Sequence, residues 1–138
     1  MTNQELRAGL TGQAETIVTP ENAAAAMVGG AVATFSTPSM IGLMEVAAFN
    51  AVQPCLKLDQ VTVGTVVDIK HLAATPLGFT VRAEAELTEV DGRRLVFRVA
   101  AFDSADRIGE GLHERFIVDT PRFMERVERK RTEHEGQA

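Results

Sequence analysis

The sequence predicts an α+β protein in which a curled antiparallel sheet wraps around one long central helix. The stretch from Asn22 to Leu56 is almost wholly apolar and contains a single charged side chain, Glu45. From Gln60 onward the apolar residues alternate with polar ones, which is typical of strands that bury one face. Since only the stretch from Asn22 to Leu56 is apolar enough to cover such a sheet, we expect the sheet to fold around it.

Composition limits the classes of function open to the chain. Its 138 residues make one domain of ordinary size, so we treat 1–138 as a single domain in which 120–138 forms a C-terminal helix and a polar tail. A net charge of −5 disfavours nucleic acid as a partner. The single cysteine, Cys55, excludes an internal disulfide and fits a cytoplasmic location. A membrane span over Asn22–Met44 is disfavoured by its small and hydroxylated residues and by Pro38, so we expect no membrane partner.

Two short elements precede the central helix. Thr11–Thr19 is rich in threonine and β-branched residues and predicts a strand that ends before Pro20. Asn22–Ala33 predicts a short helix that ends at the paired glycines Gly29-Gly30. Small residues and glycines suit a mobile flap over a pocket or, equally, a tight connection.

The central helix is predicted to begin at Thr37-Pro38, with the Thr37 hydroxyl as its cap and the proline at its first position. It should run to about Gln53, because Pro54 closes it. Gly42 weakens such a helix by roughly 1 kcal/mol relative to alanine. We therefore expect another backbone to approach the helix closely at Gly42.

Four strands and a last helix should follow. They are predicted at Gln60–His71, Phe79–Thr88, Leu95–Ala101, Arg107–Val118 and, for the helix, Thr120–Arg131. Asp91-Gly92 marks a hairpin turn between two of the strands, and Ser104–Asp106 marks another. In the strand Gln60–His71, strict alternation predicts one shared face. Its residues are Val61, Val63, Thr65, Val67, Ile69 and His71.

Glu45, His71 and Thr37 form a candidate catalytic set. An unpaired carboxylate in apolar surroundings costs several kcal/mol, so Glu45 must find partners, neutralise or line a wet cavity. A carboxylate, an imidazole and a hydroxyl together suit general-base or nucleophilic chemistry. Thr37 and Glu45 lie about 12 Å apart along a straight helix. They converge only if Thr37 lies on the turn before the helix or if the set is completed across a subunit interface.

Other chemistries have weaker support in the sequence. His113 and Glu114 lack a third ligand at suitable spacing, so we expect no metal site. No phosphate-binding glycine loop and no Gly-x-Ser-x-Gly elbow is present. His134 lies in a polar tail and is expected at the surface.

Four segments together resemble a known family. They are Gly42-Leu43-Met44-Glu45, His71-Leu72-Ala73-Ala74-Thr75-Pro76, Asp91-Gly92-Arg93-Arg94-Leu95 and Gly111-Leu112-His113-Glu114-Arg115. In their order and spacing they resemble the fluoroacetyl-CoA thioesterase family, over about Gly9 to Arg131. The resemblance implies the hot-dog fold and hydrolysis of a short-chain acyl-CoA thioester to free acid and CoA. It also implies that no metal or organic cofactor is used, and that the protein is a homodimer with active sites at its interface.

The resemblance assigns roles to single residues as well. The family's catalytic threonine, glutamate and histidine fall on Thr37, Glu45 and His71. In the scheme it implies, Thr37 and Glu45 attack the carbonyl or guide water to it, and His71 handles protons. The family's glycine that holds the thioester carbonyl falls on Gly64, whose N–H stabilises the oxyanion by an amount on the order of 3 kcal/mol. An arginine that lies near the pocket in the family corresponds to Arg115.

One segment departs from the family. The phenylalanines of the family's lid fall within Met27–Ala33, where this chain has only small or aliphatic residues. Phe35 is the nearest aromatic residue and is therefore our candidate for a substrate contact. The resemblance thus implies hydrolysis but not a preference for a fluorinated acyl group.

Two other functions use the same pocket. One is a non-catalytic acyl-CoA binding protein, which binds the thioester without turnover. The other is a hot-dog enoyl-CoA hydratase-type enzyme, which adds water across a double bond and leaves the thioester intact. A purely structural dimer gives no reason to keep Glu45 in an apolar helix.

Overall fold

Five antiparallel strands form one curled sheet in the computed structural model, which describes residues 5–135. The strands are β1 (Thr11–Ile17), β2 (Gln60–His71), β3 (Thr80–Asp91), β4 (Arg94–Phe102) and β5 (Arg107–Asp119). The helices are α1 (Ala24–Val28), α2 (Thr37–Val52) and α3 (Thr120–Glu133). The order across the sheet is β1-β3-β4-β5-β2, and α2 packs against it. The predicted α+β architecture, a sheet around one long helix, is confirmed.

The predicted elements are present, with small differences at their ends. The short helix α1 ends at Gly29, whose φ of 97° is the left-handed conformation that glycine adopts without strain. Gly92, with a φ of 60°, forms the predicted turn between β3 and β4. No helix within residues 5–135 has the length and apolar character needed to cross a membrane.

Helix α2 turns one side to the sheet and leaves the other open. Its buried residues are Met40, Met44, Ala47, Ala48, Ala51 and Val52. The alanines let the helix lie close to β1, and a Cβ added at Gly12 would collide with the helix backbone at Ala47 and Ala51. The close approach expected at Gly42 was therefore wrong, since a Cβ there meets nothing within 4 Å. Gly42 lies on the open side of α2 together with the exposed Val46.

Strand β2 is at the edge of the sheet, and a β-bulge interrupts its alternation. Gly64 is paired with Arg115 of β5 and Val66 with Glu114, which leaves Thr65 as the extra residue. An extra residue reverses the face of everything that follows it. The prediction of one continuous face from Val61 to His71 was wrong for this reason.

The bulge places Gly64 and His71 on the same face of β2. A Cβ built on Gly64 would meet the side chain of Glu45, so Gly64 faces α2. His71 is paired with Gly109, and a Cβ built there would meet Met40 of α2, so this end of the strand also faces the helix. Without the extra residue, positions 64 and 71 would lie on opposite faces, because they are an odd number of positions apart along a strand whose side chains alternate.

Candidate active site

The Thr37 hydroxyl and the His71 ring meet at the start of α2. Thr37 Oγ1 lies 2.7 Å from His71 Nδ1. The prediction that Thr37 caps the helix was wrong. Ser36 occupies the cap position, and its Oγ accepts a hydrogen bond from the Ser39 N–H. Since Ser36 satisfies the helix end, the Thr37 hydroxyl can pair with the imidazole instead.

Burial favours the neutral form of the His71 ring. Burial lowers the pKa of His71, and its interaction with the Ala73 backbone opposes this only in part. In a neutral ring whose Nδ1 accepts the Thr37 proton, Nε2 carries the hydrogen. Nε2 is buried and has no hydrogen-bond partner among residues 5–135. A buried donor in this situation costs about 1–3 kcal/mol, so this nitrogen is suited to an acceptor from outside the described chain.

Glu45 lies in a second cluster, where Arg115 is its partner. The Glu45 Oε2 atom accepts a hydrogen bond from Arg115 Nη1 at 3.1 Å. The Glu45 side chain is 40% exposed, whereas the arginine side chain is 8% exposed. The expectation that Glu45 finds a partner is confirmed by Arg115. Its apolar surroundings are incomplete, because the open side of α2 leaves one flank of the carboxylate uncovered.

Arg115 is fixed on β5 by contacts with the neighbouring strand. Its Nε donates to Thr62 Oγ1 at 2.7 Å, and its Nη2 donates to the Thr62 carbonyl at 2.8 Å. Burial lowers the pKa of Arg115, and the carboxylate of Glu45 opposes that shift. Glu45 also touches β2 itself, because a Cβ on Gly64 would collide with its Oε2 atom. Only glycine leaves room for the carboxylate here.

The structure thus brings the predicted residues together in two groups. Thr37 is with His71, and Glu45 is with Gly64 and Arg115. No hydrogen bond joins Glu45 to His71 within residues 5–135. Both groups lie on the helix side of β2, one at the bulge and the other at the end of the strand.

Phe35 lies in the core of the fold. Its side chain is 1% exposed, and its backbone N–H donates to the Thr75 carbonyl. This position supports packing, and a contact between Phe35 and substrate stays a prediction. The neighbouring segment 26–33 is exposed, and its large side chains are the aliphatic Met27, Val28 and Val32.

His113 belongs to the second cluster, and this part was not predicted from the sequence. The histidine was considered there only as a metal ligand, and no group of three or more histidine, cysteine or acidic side chains suited to a metal ion occurs in residues 5–135. Instead, His113 is 2% exposed and contacts Arg115. The signal was its place two residues before Arg115 in a strand, which puts both side chains on one face.

Comparison with known proteins gives consistent results. Residues 18–121 match the family model described as fluoroacetyl-CoA-specific thioesterase. The curated fluoroacetyl-CoA thioesterase of Streptantibioticus cattleyicolor is 45% identical over 96 residues, which cover 70% of this chain and 69% of that protein.

Solved structures agree with these sequence matches. A mutant of the fluoroacetyl-CoA-specific thioesterase FlK superposes with a TM-score of 0.86 at 36% identity, covering 92% of this chain and 98% of the other. A thioesterase superfamily member from Thermus thermophilus gives a TM-score of 0.87 at 28% identity, covering 94% and 96%.

Proposed function

The chain belongs to the fluoroacetyl-CoA-specific thioesterase family and hydrolyses a short-chain acyl-CoA thioester, and from this premise we propose that two copies of the chain complete each active site. One copy supplies Thr37 and His71, and the other supplies Glu45, Gly64 and Arg115. The observation that carries this proposal is the separation of the two groups within one chain, together with a buried His71 Nε2 that has no partner among residues 5–135.

The free edge of β2 supports this homodimer. Among the described residues 5–135, β2 pairs only with β5, and Val66 and Val67 are exposed in the middle of the strand. An unpaired edge of this kind is a template for a strand from a second chain. If two β2 strands pair antiparallel about a point near Asp68, then Gly64 lies opposite the partner's His71. The bulge is needed for this arrangement, because it turns both residues to the same face.

Each group then has a chemical role. The Thr37 hydroxyl gives its proton to His71 Nδ1 as its oxygen, or a water molecule in its place, attacks the thioester carbonyl. The Gly64 N–H stabilises the oxyanion, and Glu45, oriented by Arg115, accepts from the partner's His71 Nε2–H and supports the charge on that ring. As the tetrahedral intermediate collapses, the C–S bond breaks and the CoA sulfur takes the proton from His71. If water attacked, this step releases the free acid. If Thr37 attacked, it leaves an acyl-threonine ester, which a water molecule then hydrolyses: the water gives its proton to His71, and His71 returns a proton to the Thr37 oxygen as the acid leaves. No step requires a metal or an organic cofactor.

The acyl group is expected to be small, because the curated relative is a fluoroacetyl-CoA thioesterase, whose acyl group has two carbons. Residues 26–33 carry only aliphatic and small side chains. We assign no halogen preference on this basis. A cytoplasmic location is part of the same proposal and is consistent with an acyl-CoA substrate.

The test is release of free CoA over a panel of acetyl, fluoroacetyl, longer and aromatic thioesters. We expect turnover of short thioesters, and we expect His71→Ala to lower kcat by about 10²- to 10⁴-fold, the range typical of a lost general base. His134→Ala, which changes a histidine on the tail after α3, serves as the matched control and should keep the wild-type rate.

Two results would contradict the proposal. One is an unchanged kcat in a folded His71→Ala protein, with folding checked by circular dichroism. The other is a hydrated product that still carries CoA, detected by mass spectrometry, because this is the product of a hydratase.

A further inference from the structure

We propose that His113 is a positioning residue that ties the β2 bulge to the carboxylate of Glu45 through Arg115. The inference rests on the proposed role of Glu45 and adds a residue to which no role in the reaction has been given. His113 is buried and titratable, and it takes no part in the reaction steps described above.

The hydrogen-bond partners of His113 fix its tautomer. Its Nδ1 lies 2.8 Å from the Val66 carbonyl, which only accepts, so Nδ1 carries the hydrogen and donates it. Its Nε2 lies 3.2 Å from Arg115 Nη1, which only donates, so Nε2 presents a lone pair. Both nitrogens of a neutral ring are therefore satisfied, and burial lowers the pKa of His113, which favours this neutral form.

One of these contacts holds the bulge. Val66 is the first residue after the extra residue Thr65, and its carbonyl is the group to which His113 donates. The bulge decides which face of β2 carries His71. A hydrogen bond from β5 to this carbonyl stabilises that position.

The other contact directs the guanidinium. Arg115 Nη1 divides its two hydrogens between His113 Nε2 and Glu45 Oε2, at 3.2 and 3.1 Å. The rest of the guanidinium is bound to Thr62. With His113 in place, the guanidinium plane has one orientation, and the remaining hydrogen points at the carboxylate. Glu45 itself lies 3.8 Å from His113 Nε2, so the arginine and not the histidine is its hydrogen-bond partner.

His113→Phe removes both hydrogen bonds and keeps a ring of similar size beside Phe97, whose ring centroid lies 6.4 Å from that of the histidine. We expect kcat to fall about 10- to 100-fold with KM changed less than about threefold, as for a displaced reacting group in an intact pocket. Val81→Ala removes buried side-chain volume in β3, which β4 separates from β5 in the sheet. It is the control for lost stability and should keep kcat.

Conservative variants separate the two contacts. In His113→Gln the new side-chain oxygen reaches toward Arg115, so this variant should recover most of kcat if direction of the guanidinium is the main effect. His113→Asn keeps a donor for Val66 and should recover less. If His113→Phe does not fold, the test is made with these two variants. An equal loss of kcat in both would overturn the proposal that His113 directs the guanidinium of Arg115.

The deciding experiment is a double-mutant cycle between His113→Phe and Glu45→Gln. If His113 acts through Glu45, the phenylalanine lowers kcat by less than about twofold once the carboxylate is gone. Additive losses would overturn the proposal, as would an Nε2–H tautomer for His113 in nitrogen-15 NMR spectra of the wild-type protein. A failed active-site assignment looks different, because His71→Ala or Glu45→Gln alone would then leave kcat unchanged.

Discussion

The two groups of proposed active-site residues differ in how completely one chain satisfies their hydrogen bonds. The Glu45 group is held by charge and by four hydrogen bonds from the guanidinium of Arg115 to Thr62, His113 and the carboxylate. The Thr37 group has a single hydrogen bond between neutral side chains, and its imidazole has a buried nitrogen without a partner in residues 5–135. The carboxylate is thus in place before substrate binds, whereas the imidazole still needs an acceptor.

The difference makes the two groups complementary. The Glu45 carboxylate has an uncovered flank and a surplus of acceptor sites, and the His71 ring has a donor to give. The bulge at Thr65 gives both groups the same face of an edge strand. In the homodimer that we propose, the second copy of the chain would satisfy both needs at once.

The largest effect that tests this comparison is expected from Gly64→Ala. The added Cβ collides with Glu45 Oε2 and also lies 3.3 Å from His113 and 3.4 Å from Arg115, so the carboxylate must leave its place. We expect kcat to fall about 100-fold, in line with an approximately 1 Å misplacement of a catalytic group. Initial rates of CoA release and a crystal structure of the variant check this.

Val63→Ala is the matched control, because Val63 precedes Gly64 on the opposite face of β2. It should keep the wild-type rate within about twofold. A Gly64→Ala protein with an unchanged rate would mean that the position of Glu45 against β2 has no part in the reaction.

A smaller effect is expected from pH, and its main source is the His71 ring of the Thr37 group. Burial lowers the pKa of His71 below its ordinary value of about 6.5, and protonation removes the base as the pH falls. The loss of rate should therefore be half complete below about pH 6.5 and then approach tenfold per unit. The pH profile of kcat/KM measures it.

His113 titrates in the same direction, so the profile of His113→Gln is the control. The acid limb should persist in that variant, since glutamine does not titrate and His71 remains. A rate that is already halved between pH 8 and 7 would contradict a base with a lowered pKa.

Much of the fold was predictable because it follows from local periodicity. The apolar run of α2, the alternation in β3 and β4 and the glycine turns are all visible in neighbouring residues. Glu45 stood out as the only charge in its stretch, and His71 as a histidine at the end of an apolar face. These signals need no knowledge of which strands pair.

The rest depends on contacts between distant parts of the chain. The bulge at Thr65 arises from the register of β2 against β5, which the alternation of β2 alone does not reveal. The choice of Ser36 over Thr37 as helix cap depends on where His71 lies. The ion pair between Arg115 and Glu45 joins β5 to α2. Apart from the family resemblance, no residue near Glu45 in the sequence indicates that Arg115 is its partner.

The most direct test of the composite site is a mixed dimer of His71→Ala and Glu45→Gln chains. The mixed dimer has one site with both residues intact and one site with neither. After unfolding and refolding an equal mixture of the two inactive proteins, half of the dimers are mixed, so we expect roughly a quarter of wild-type CoA release to return. Activity that stays at the level of the separate variants, with mixed dimers shown by native mass spectrometry, would contradict the account.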